Sequence, residues 1–308
     1  MAEDKNEPKK GAERAALAAL RDEIDAIDNQ IHDLLMRRTT VVHNVAQIKN
    51  ANLEHQGRKL DNDGHPVPSL AMRPEREASI FRRLRSRHEG DLPFHVIVQL
   101  WRELINAKTR LQGPLAISLF HGDETILPYG SRDLARASYG AATTLNERAK
   151  PFEVLDDVMR VPGVIGVLPE PATSEADPWW PMLLEFDHLN AEHGPPRIIA
   201  RLPCIEGEET APTYPVAWTI ACFDQMDSGD DTSFFIAKTA SERDAIVAGF
   251  KEVGIQAEEI DRKDDLVFLA TSTFVGPEDT RLAGMADKLQ ASFLRHVGGF
   301  ANPLDLSS

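Results

Sequence analysis

The chain has 308 residues, of which 42% are apolar, and its 49 acidic residues exceed its 34 Lys and Arg by 15. This length predicts two or three domains with enough material for a buried core, and the acidic balance argues against nucleic acid as a partner. No apolar run reaches the roughly 18 residues that span a bilayer, so no membrane partner is expected. The only cysteines are Cys204 and Cys222, too few for a disulfide framework, and a reducing cytoplasm is the expected compartment.

The charge is unevenly distributed along the chain. Residues 1–113 carry 19 Lys and Arg against 17 acidic residues, whereas residues 114–308 carry 15 against 32. The change falls at Gly113-Pro114, a dipeptide that often separates structural elements. We therefore predict a domain boundary there, and the nearly neutral first part fits a small anionic ligand better than a polyanion.

The first predicted helix runs from about Glu13 to about Asn50, and its apolar residues recur at alternating steps of three and four. That period indicates a helix that packs along its whole length. One position of the series is irregular, because Arg38 stands where an apolar residue is expected. A guanidinium in a packing seam is unfavourable unless an anion meets it there. The apolar residues of this stripe are Leu17, Leu20, Ile24, Ile27, Ile31, Leu34, Val41, Val45 and Ile48.

A helix of this length is expected to protrude or to pair with a second copy, since about 38 residues at about 1.5 Å each span roughly 55–60 Å. Lys49 follows Arg38 by eleven residues and lies within about 20° of the same face, so both can reach one pocket. Arg21 precedes Arg38 by seventeen residues and lies roughly 100° around the helix. If Arg21 contributes to a site, that site is expected in a partner subunit.

Two shorter helices are predicted after a polar loop at residues 51–72, which is a candidate flap over a site. The second helix begins at Pro74 and runs to about His88, and the third begins near Asp91 and ends at Gly113. The basic residues of the second helix are expected to form a solvated face. They are Arg82, Arg83, Arg85 and Arg87.

Polar residues also continue the apolar stripes of the second and third helices. Glu77 stands three positions before an apolar residue, and Lys108 and Gln112 continue the leucine spacing of the third helix. Each alone has an ordinary structural explanation, such as a snorkelling side chain or a helix cap. Together with Arg38 and Lys49 they place five polar groups on inward faces, which favours a binding site. No nucleophile–base pair or metal-ligand cluster of recognisable spacing accompanies them, so the expected site binds through charge and hydrogen bonds.

Three segments and one lysine carry a resemblance to a known family. The segments are LAALRDEIDAIDNQIHDLLMRR at 17–38, RPERE at 73–77 and LWRELINAKTRLQ at 100–112, with Lys49 between the first two. Residues 13–113 thereby resemble the all-helical, AroQ-type chorismate mutase. The resemblance implies a three-helix domain that forms an intertwined homodimer. It also implies the Claisen rearrangement of chorismate to prephenate in phenylalanine and tyrosine biosynthesis, without cofactor or metal.

The resemblance further implies roles for individual residues. Arg38 and the partner's Arg21 are expected to bind the two substrate carboxylates, and Lys49 and Gln112 to donate to the ether oxygen. Arg38, Lys49 and Gln112 are thus the predicted catalytic residues. The predicted substrate-binding residues are Arg21, Arg38, Lys49, Arg76, Glu77, Lys108 and Gln112.

Within that set, Glu77 is expected to accept a hydrogen bond from the substrate hydroxyl, and Arg76 to shape the pocket. The chain departs from the family at two positions, with Lys108 where a serine is common and Arg73 where an acidic residue is common. Both changes add positive charge near the expected pocket. They are also the sequence support for the alternative of a non-catalytic regulatory or ligand-binding protein on the same fold.

Residues 114–308 alternate strand-like and helical segments, which predicts a mixed α/β region and an overall class of α plus α/β. Strands are predicted at 115–120, 164–168, 197–202, 216–223 and 233–237, and helices at 131–148, 151–160, 240–253 and 279–297. A loop at 169–181 carries Trp179 and Trp180, which are expected to be packing anchors rather than exposed aromatic residues.

This region faintly resembles part of a prephenate dehydratase at 114–228, and it bears a better resemblance to an ACT domain, with the order βαββαβ, at 229–308. The dehydratase motif Thr-Arg-Phe is at best Thr232-Ser233-Phe234, without its arginine, so an inactive dehydratase-like region is expected. A bifunctional mutase and dehydratase is the remaining alternative. The resemblance divides the chain into a disordered lead-in at 1–12, the mutase domain at 13–113 and these two regions. An aromatic amino acid is a candidate effector of the last.

Overall fold

The computed structural model describes residues 7–55, 72–121, 130–171, 177–187, 194–207 and 211–307. The chain divides into two compact units, residues 1–60 and 61–308. Most of the predicted flap at 51–72 lies outside the described residues, because only 51–55, in a helix, and Met72 belong to them. None of the helices in the described part of the chain combines the length and hydrophobicity of a bilayer-spanning segment.

The described part of the first unit is one helix, α1 (Glu7–His55), of 49 residues. It begins six residues before the predicted start, so residues 7–12 are helical and were wrongly assigned to a disordered lead-in. The apolar stripe of α1 is exposed along its length, from 45% at Val45 to 64% at Ile48. This stripe is therefore a surface of the helix.

The second unit begins with two helices close to their predicted bounds, α2 (Pro74–Arg85) and α3 (Phe94–Gln112). Pro74 at the first turn of α2 accounts for its start, and α3 ends at the residue before Gly113. The later helices are α4 (Ser131–Tyr139), α5 (Pro151–Arg160), α6 (Met182–Asp187), α7 (Arg243–Glu252) and α8 (Met285–Lys288). The strands are β1 (Ala116–Phe120), β2 (Thr144–Arg148), β3 (Val164–Pro169), β4 (Arg197–Leu202), β5 (Ile205–Glu206), β6 (Ala217–Ala221), β7 (Asp231–Lys238), β8 (Ala257–Lys263), β9 (Leu266–Thr271), β10 (Leu294–Ala301) and β11 (Leu304–Asp305).

Nine of these strands form one sheet in the described residues, in the order β2-β1-β3-β6-β4-β10-β7-β9-β8. The first three strands are parallel, β6 is antiparallel to both neighbours, and β10 is parallel to β4. Strands β7 to β10, with α7 and α8, have the predicted order βαββαβ, and these four strands pair with one another in antiparallel fashion. The sheet crosses the predicted boundary at 228/229 without a break, and the domain limits stay predictions.

The core lies on both faces of this sheet. Alternate residues of β3 belong to two different apolar clusters, as expected where a strand is buried on both sides. Trp179 and Trp180 are 2% and 0% exposed and pack against Trp218 and Phe268, so they are packing anchors. A third cluster packs α7 and α8 against β7 and β9. The α/β region therefore closes its core within one chain.

Two parts of the α/β region differ from the predicted elements. Residues 144–148, predicted as helix, form the edge strand β2. Of the predicted helix 279–297, only α8 (Met285–Lys288) is α-helical, and the last residues of the predicted range belong to β10. A glycine is required in β10, because Gly298 has a φ of 106° and an added Cβ would lie 2.2 Å from the carbonyl oxygen of Ile198. This close approach is how β10 pairs with β4.

Candidate active site

The predicted site residues of α1 differ in environment. Arg21 is exposed, Arg38 is half-buried, and burial lowers the pKa of Arg38 below its ordinary value. Lys49 lies within α1, but its side chain is outside the described part. Arg38 and Lys49 are eleven residues apart on one continuous helix, which separates them by about 16 Å along the axis.

The predicted residues of the second unit lie on α2 and α3. Arg76 is exposed and Glu77 is buried, at 8% exposure, while Lys108 and Gln112 are half-buried. The role of each residue stays a prediction. What the structure adds is the partner of Glu77.

A buried ion pair joins Glu77 to Arg102 of α3. The Nη1 atom of Arg102 donates to Oε2 of Glu77 at 2.9 Å, and Arg102 is 7% exposed. The predicted residue Gln112 lies ten positions beyond Arg102, about 15 Å along the helix axis. The carboxylate of Glu77 is therefore bound by a residue outside the predicted set.

Arg102 belongs to a polar stripe that fixes α3 against α4. Asn106 Nδ2 donates to the carbonyl oxygens of Arg102 and Ser138 at 2.8 and 2.9 Å. Arg110 Nη1 donates to Thr143 Oγ1 at 2.8 Å, just after α4. Buried residues recur on α3 at steps of three or four from Phe94 to Thr109, which defines this stripe as the packed face. The predicted inward face is instead partly exposed, with Leu100 at 53% and Leu111 at 63%.

Burial and charge act in opposite directions on the ion pair. Burial raises the pKa of Glu77 above its ordinary value, Arg102 reduces that rise without reversing it, and Glu75 adds to it. Burial alone would lower the pKa of Arg102, but Cys204 and Glu77 raise it, and the net direction is upward. Arg102 therefore keeps its charge beside the buried carboxylate.

Two clefts meet at this pair. One has a volume of about 460 Å³ and is lined by Glu77, Arg102, Tyr139 and Cys204, among others. The second, of about 550 Å³, is lined by Arg102, Cys204 and Tyr214, with apolar residues of α3 and α4. Arg102 thus borders both clefts, and Glu77 faces only the first.

Arg82 was also missed as a contact residue. The sequence predicts that Arg82 lies on a solvated face, but its guanidinium donates to the carbonyl oxygens of Ser228 and Asp230 at 2.7 and 2.8 Å. This contact docks α2 on the loop before β7. A repeating arginine run gives no sign of which member makes a tertiary contact, whereas Arg102 has a signal, since it is a charged residue within an apolar helix.

The first departure from the family pattern, Arg73, lies just before α2 and binds the carboxylate of Glu75. Its side chain is 45% exposed, so its charge is directed to a neighbour on the helix surface. The second departure, Lys108, is half-buried on α3.

Part of the sequence of this chain matches a known protein family. Residues 20–113 match the family model of chorismate mutase type II, which confirms the resemblance predicted from the sequence. These residues therefore carry the sequence pattern of that family of isomerases.

The curated relatives have a further activity in their names. A bifunctional chorismate mutase/prephenate dehydratase of Stutzerimonas stutzeri is 27% identical over 168 residues, which cover 53% of this chain and 41% of the relative. The protein of the same name from Pseudomonas aeruginosa is 25% identical over 164 residues, with the same coverage of both chains. The chain thus spans less than half the length of these relatives.

Solved structures show a weaker likeness. Prephenate dehydratase from Streptococcus mutans has a TM-score of 0.40 and 12% identity, and it covers 62% of this chain and 100% of its own. Prephenate dehydratase from Arthrobacter aurescens in complex with L-Phe has a TM-score of 0.37 and 11% identity, over 61% of this chain and 90% of its own. This likeness is too low to define the fold of the chain.

Proposed function

We propose that residues 13–113 form a chorismate mutase that converts chorismate to prephenate in the cytoplasm. The observation that carries this proposal is the match of residues 20–113 to chorismate mutase type II. The names of the curated relatives include the same activity. The predicted site residues support it, because they are cations and hydrogen-bonding groups on three helices.

The rearrangement occurs within one molecule and needs no nucleophile. A protein accelerates it by holding the flexible dianion in a reactive conformation and by stabilising charge that develops on the ether oxygen. Arg38 and the partner's Arg21 have the charge needed to bind two carboxylates. Lys49 and Gln112 are donors suited to the ether oxygen, and Glu77 is an acceptor suited to the substrate hydroxyl.

The second part of the proposal is a homodimer in which Arg21 acts on the site of the other subunit. The exposed apolar stripe of α1 supports it, because a water-exposed stripe over nine apolar positions is typical of an uncovered interface. Arg21 and Arg38 point in directions roughly 100° apart on the helix. One helix can therefore serve two sites only if two chains pair along it.

Loss of chorismate absorbance, with prephenate identified as product, tests the mutase activity. The wild-type chain is expected to turn over chorismate after treatment with a chelator. Lys49→Ala and Gln112→Ala should each lower kcat by about 10²–10³-fold, the usual effect of removing one donor to developing charge. Gln99→Ala is the matched control, since Gln99 is an exposed glutamine of the same helix outside the predicted site.

An unchanged rate in both Lys49→Ala and Gln112→Ala would contradict the site assignment. A wild-type chain without turnover would contradict the activity itself and favour the regulatory alternative. Circular dichroism distinguishes both outcomes from misfolding.

Prephenate dehydratase is the second candidate activity. The alignment of 168 residues with the Stutzerimonas stutzeri protein is longer than residues 1–113, so it extends into the α/β region. We nevertheless expect no dehydratase activity, since Ser233 stands where the motif has arginine and is fully buried. Formation of phenylpyruvate from prephenate would contradict this expectation. An aromatic amino acid effector of residues 229–308 stays a prediction.

A further inference from the structure

We infer that the cleft between α3 and α4 is a ligand site for a small molecule that has one carboxylate and an apolar body. Arg102 is the residue that binds the carboxylate. Among the described residues that line this cleft, none belongs to the predicted substrate set. The inference therefore does not rest on the proposed chorismate mutase activity.

Three segments form the walls of this cleft, whose volume is about 550 Å³. Val98 and Arg102 lie one turn apart on α3, and Leu134 and Ser138 lie one turn apart on α4. The lining is mostly apolar, with a few polar groups that can orient a ligand, which is the usual composition of a small-molecule site. The third wall comes from the chain after β4 and consists of Pro203, Cys204, Ile205, Ala211, Pro212 and Tyr214.

Arg102 supplies the permanent positive charge of this lining, and it is 7% exposed. Its Nη1 atom donates to Oε2 of Glu77 at 2.9 Å, and Cys204 also interacts with the guanidinium. Because a guanidinium has five N–H donors, these contacts use only part of its capacity. Glu77 lines the first cleft and not the second. One guanidinium therefore borders two clefts and meets a protein carboxylate in one of them.

The charges around the second cleft select the class of ligand. Its described lining contains no aspartate or glutamate, so a bound carboxylate meets the cation of Arg102 without a competing anion in the wall. The apolar walls exclude water, which strengthens a charge-assisted hydrogen bond. An ammonium group would be buried there without an anionic partner, which is unfavourable. The expected ligand is therefore a monocarboxylic acid without an amino group, unlike the amino acid predicted as effector of residues 229–308.

A titration of the full chain with 3-phenylpropanoate, followed by methyl NMR, tests this site. The probe has one carboxylate and one ring, and a ligand of its size is expected to bind with a Kd of about 1–10 mM. The uncharged 3-phenylpropanamide and the zwitterion L-phenylalanine should each bind at least about tenfold more weakly, the usual cost of losing a hydrogen bond to a charged group or of burying an unpaired charge. Equal affinity for the acid and the amide would overturn the inference.

The methyl resonances also locate the probe in the wild-type chain. Those of Val98 and Leu134, which line the cleft, should shift with 3-phenylpropanoate because an aromatic ring is close to them. The methyl groups of Leu155 are the internal control, since Leu155 is fully buried on α5 and is not part of the lining. Shifts that leave Val98 and Leu134 unchanged would place the probe elsewhere and refute the site.

A variant that fills the cleft gives a second test. Ala137 of α4 lines the cleft, and Ala137→Leu should weaken the binding of 3-phenylpropanoate by at least about tenfold, because the added side chain occupies the space of the probe. Ala142→Leu is the matched control, since Ala142 is exposed just after α4 and is not part of the lining. Urea denaturation checks that both variants fold. Wild-type affinity in a folded Ala137→Leu would contradict the inference.

Two further variants test whether Glu77 and the ligand share the charge of Arg102. Glu77→Gln removes the competing carboxylate, so it should tighten the binding of 3-phenylpropanoate by about tenfold and leave that of the amide unchanged. Glu77→Gln/Arg102→Met contains no unpaired buried charge and should bind the acid and the amide alike. An acid preference that persists in this double variant would exclude Arg102 as the carboxylate-binding residue. None of these measurements uses chorismate, so their outcome is independent of whether the chain is a mutase.

Discussion

The apolar residues of α1 and those of the nine-stranded sheet are in opposite environments. The stripe of α1 is about half exposed at every position from Leu17 to Ile48, whereas Ile117, Ile198 and Ile236 in the sheet are fully buried. Both sets have the regular spacing of residues that pack. The apolar residues of the sheet are covered by other residues of the same chain, whereas the apolar stripe of α1 is exposed.

This difference indicates where a second chain is needed. A single helix in water is stabilised mainly by packing of its apolar face, and α1 has 49 residues with such a face uncovered. The described apolar clusters of the α/β region are buried within one chain. The proposed homodimer therefore depends on α1, and the predictions that follow test whether the two regions differ in this way.

The largest expected effect is recovery of activity in mixed dimers. Arg21→Ala and Gln112→Ala should each be nearly inactive, by about 10²-fold or more. When the two variants are unfolded and refolded together in equal amounts, half of the dimers are mixed and each has one intact site. Activity should then return to roughly a quarter of the wild-type value, if Arg21 serves the partner subunit.

A second mixture provides the control. Lys49→Ala and Gln112→Ala are both expected to act in the site of their own chain, so mixing them leaves a defect in every site. Recovery of activity in this second mixture would contradict the proposal that Arg21 alone is exchanged between subunits. A lack of recovery in the mixture of Arg21→Ala with Gln112→Ala would also contradict it. In that case the exposed stripe of α1 would not mark a shared active site.

The next effect compares one leucine from each region. Leu155 is fully buried on α5, and Leu155→Ala should lower the free energy of unfolding by about 3 kcal/mol. Leu20 of α1 is 55% exposed, and Leu20→Ala should cost less than about 1 kcal/mol in dilute protein. At high protein concentration its cost should rise, because a dimer interface stabilises by mass action.

Urea denaturation at two protein concentrations measures both variants. A cost for Leu20→Ala that does not change with concentration would remove the contrast between the regions. The contrast would also be removed if the cost of Leu155→Ala depended on protein concentration as strongly as that of Leu20→Ala.

Local signals in the sequence predicted much of this fold. Pro74 and Gly113 mark helix ends, and α5 has the predicted bounds Pro151–Arg160. The buried strands were predicted from short apolar runs, and β4 has the predicted range 197–202. In each of these elements, the boundary or the periodicity is determined by residues that are adjacent in the sequence.

Elements that depend on distant partners were not predictable in the same way. Strand β2, Thr144–Arg148, is polar and lies at the edge of the sheet, where pairing with β1 rather than an apolar pattern decides its conformation. The buried face of α3 was assigned from its leucines, but contacts with α4 bury Arg102 and Asn106 instead. The chemistry of the candidate site was therefore readable from residue types, whereas the partner of Glu77 required the fold.

The smallest effect concerns a histidine in the sheet. His296 of β10 is 8% exposed, and neither ring nitrogen has a hydrogen-bond partner among the described residues. Burial and the nearby Arg197 lower the pKa of His296 to about 4. The unfolded chain, with an ordinary histidine pKa of about 6.5, takes up the proton first as the pH falls. The stabilisation is therefore complete above pH 6.5 and is lost progressively down to about pH 4.

Between pH 6.5 and pH 5, this titration should cost about 2 kcal/mol of unfolding free energy. His296→Leu removes the titrating group and should flatten the dependence on pH in that interval, measured by urea denaturation. Val297→Ala is the control, because Val297 is a buried neighbour on the same strand that does not titrate. Val297→Ala should lower stability by a similar amount at every pH. An equal slope in wild type and His296→Leu would show that the acid sensitivity of the chain arises elsewhere than in the closed core of the sheet.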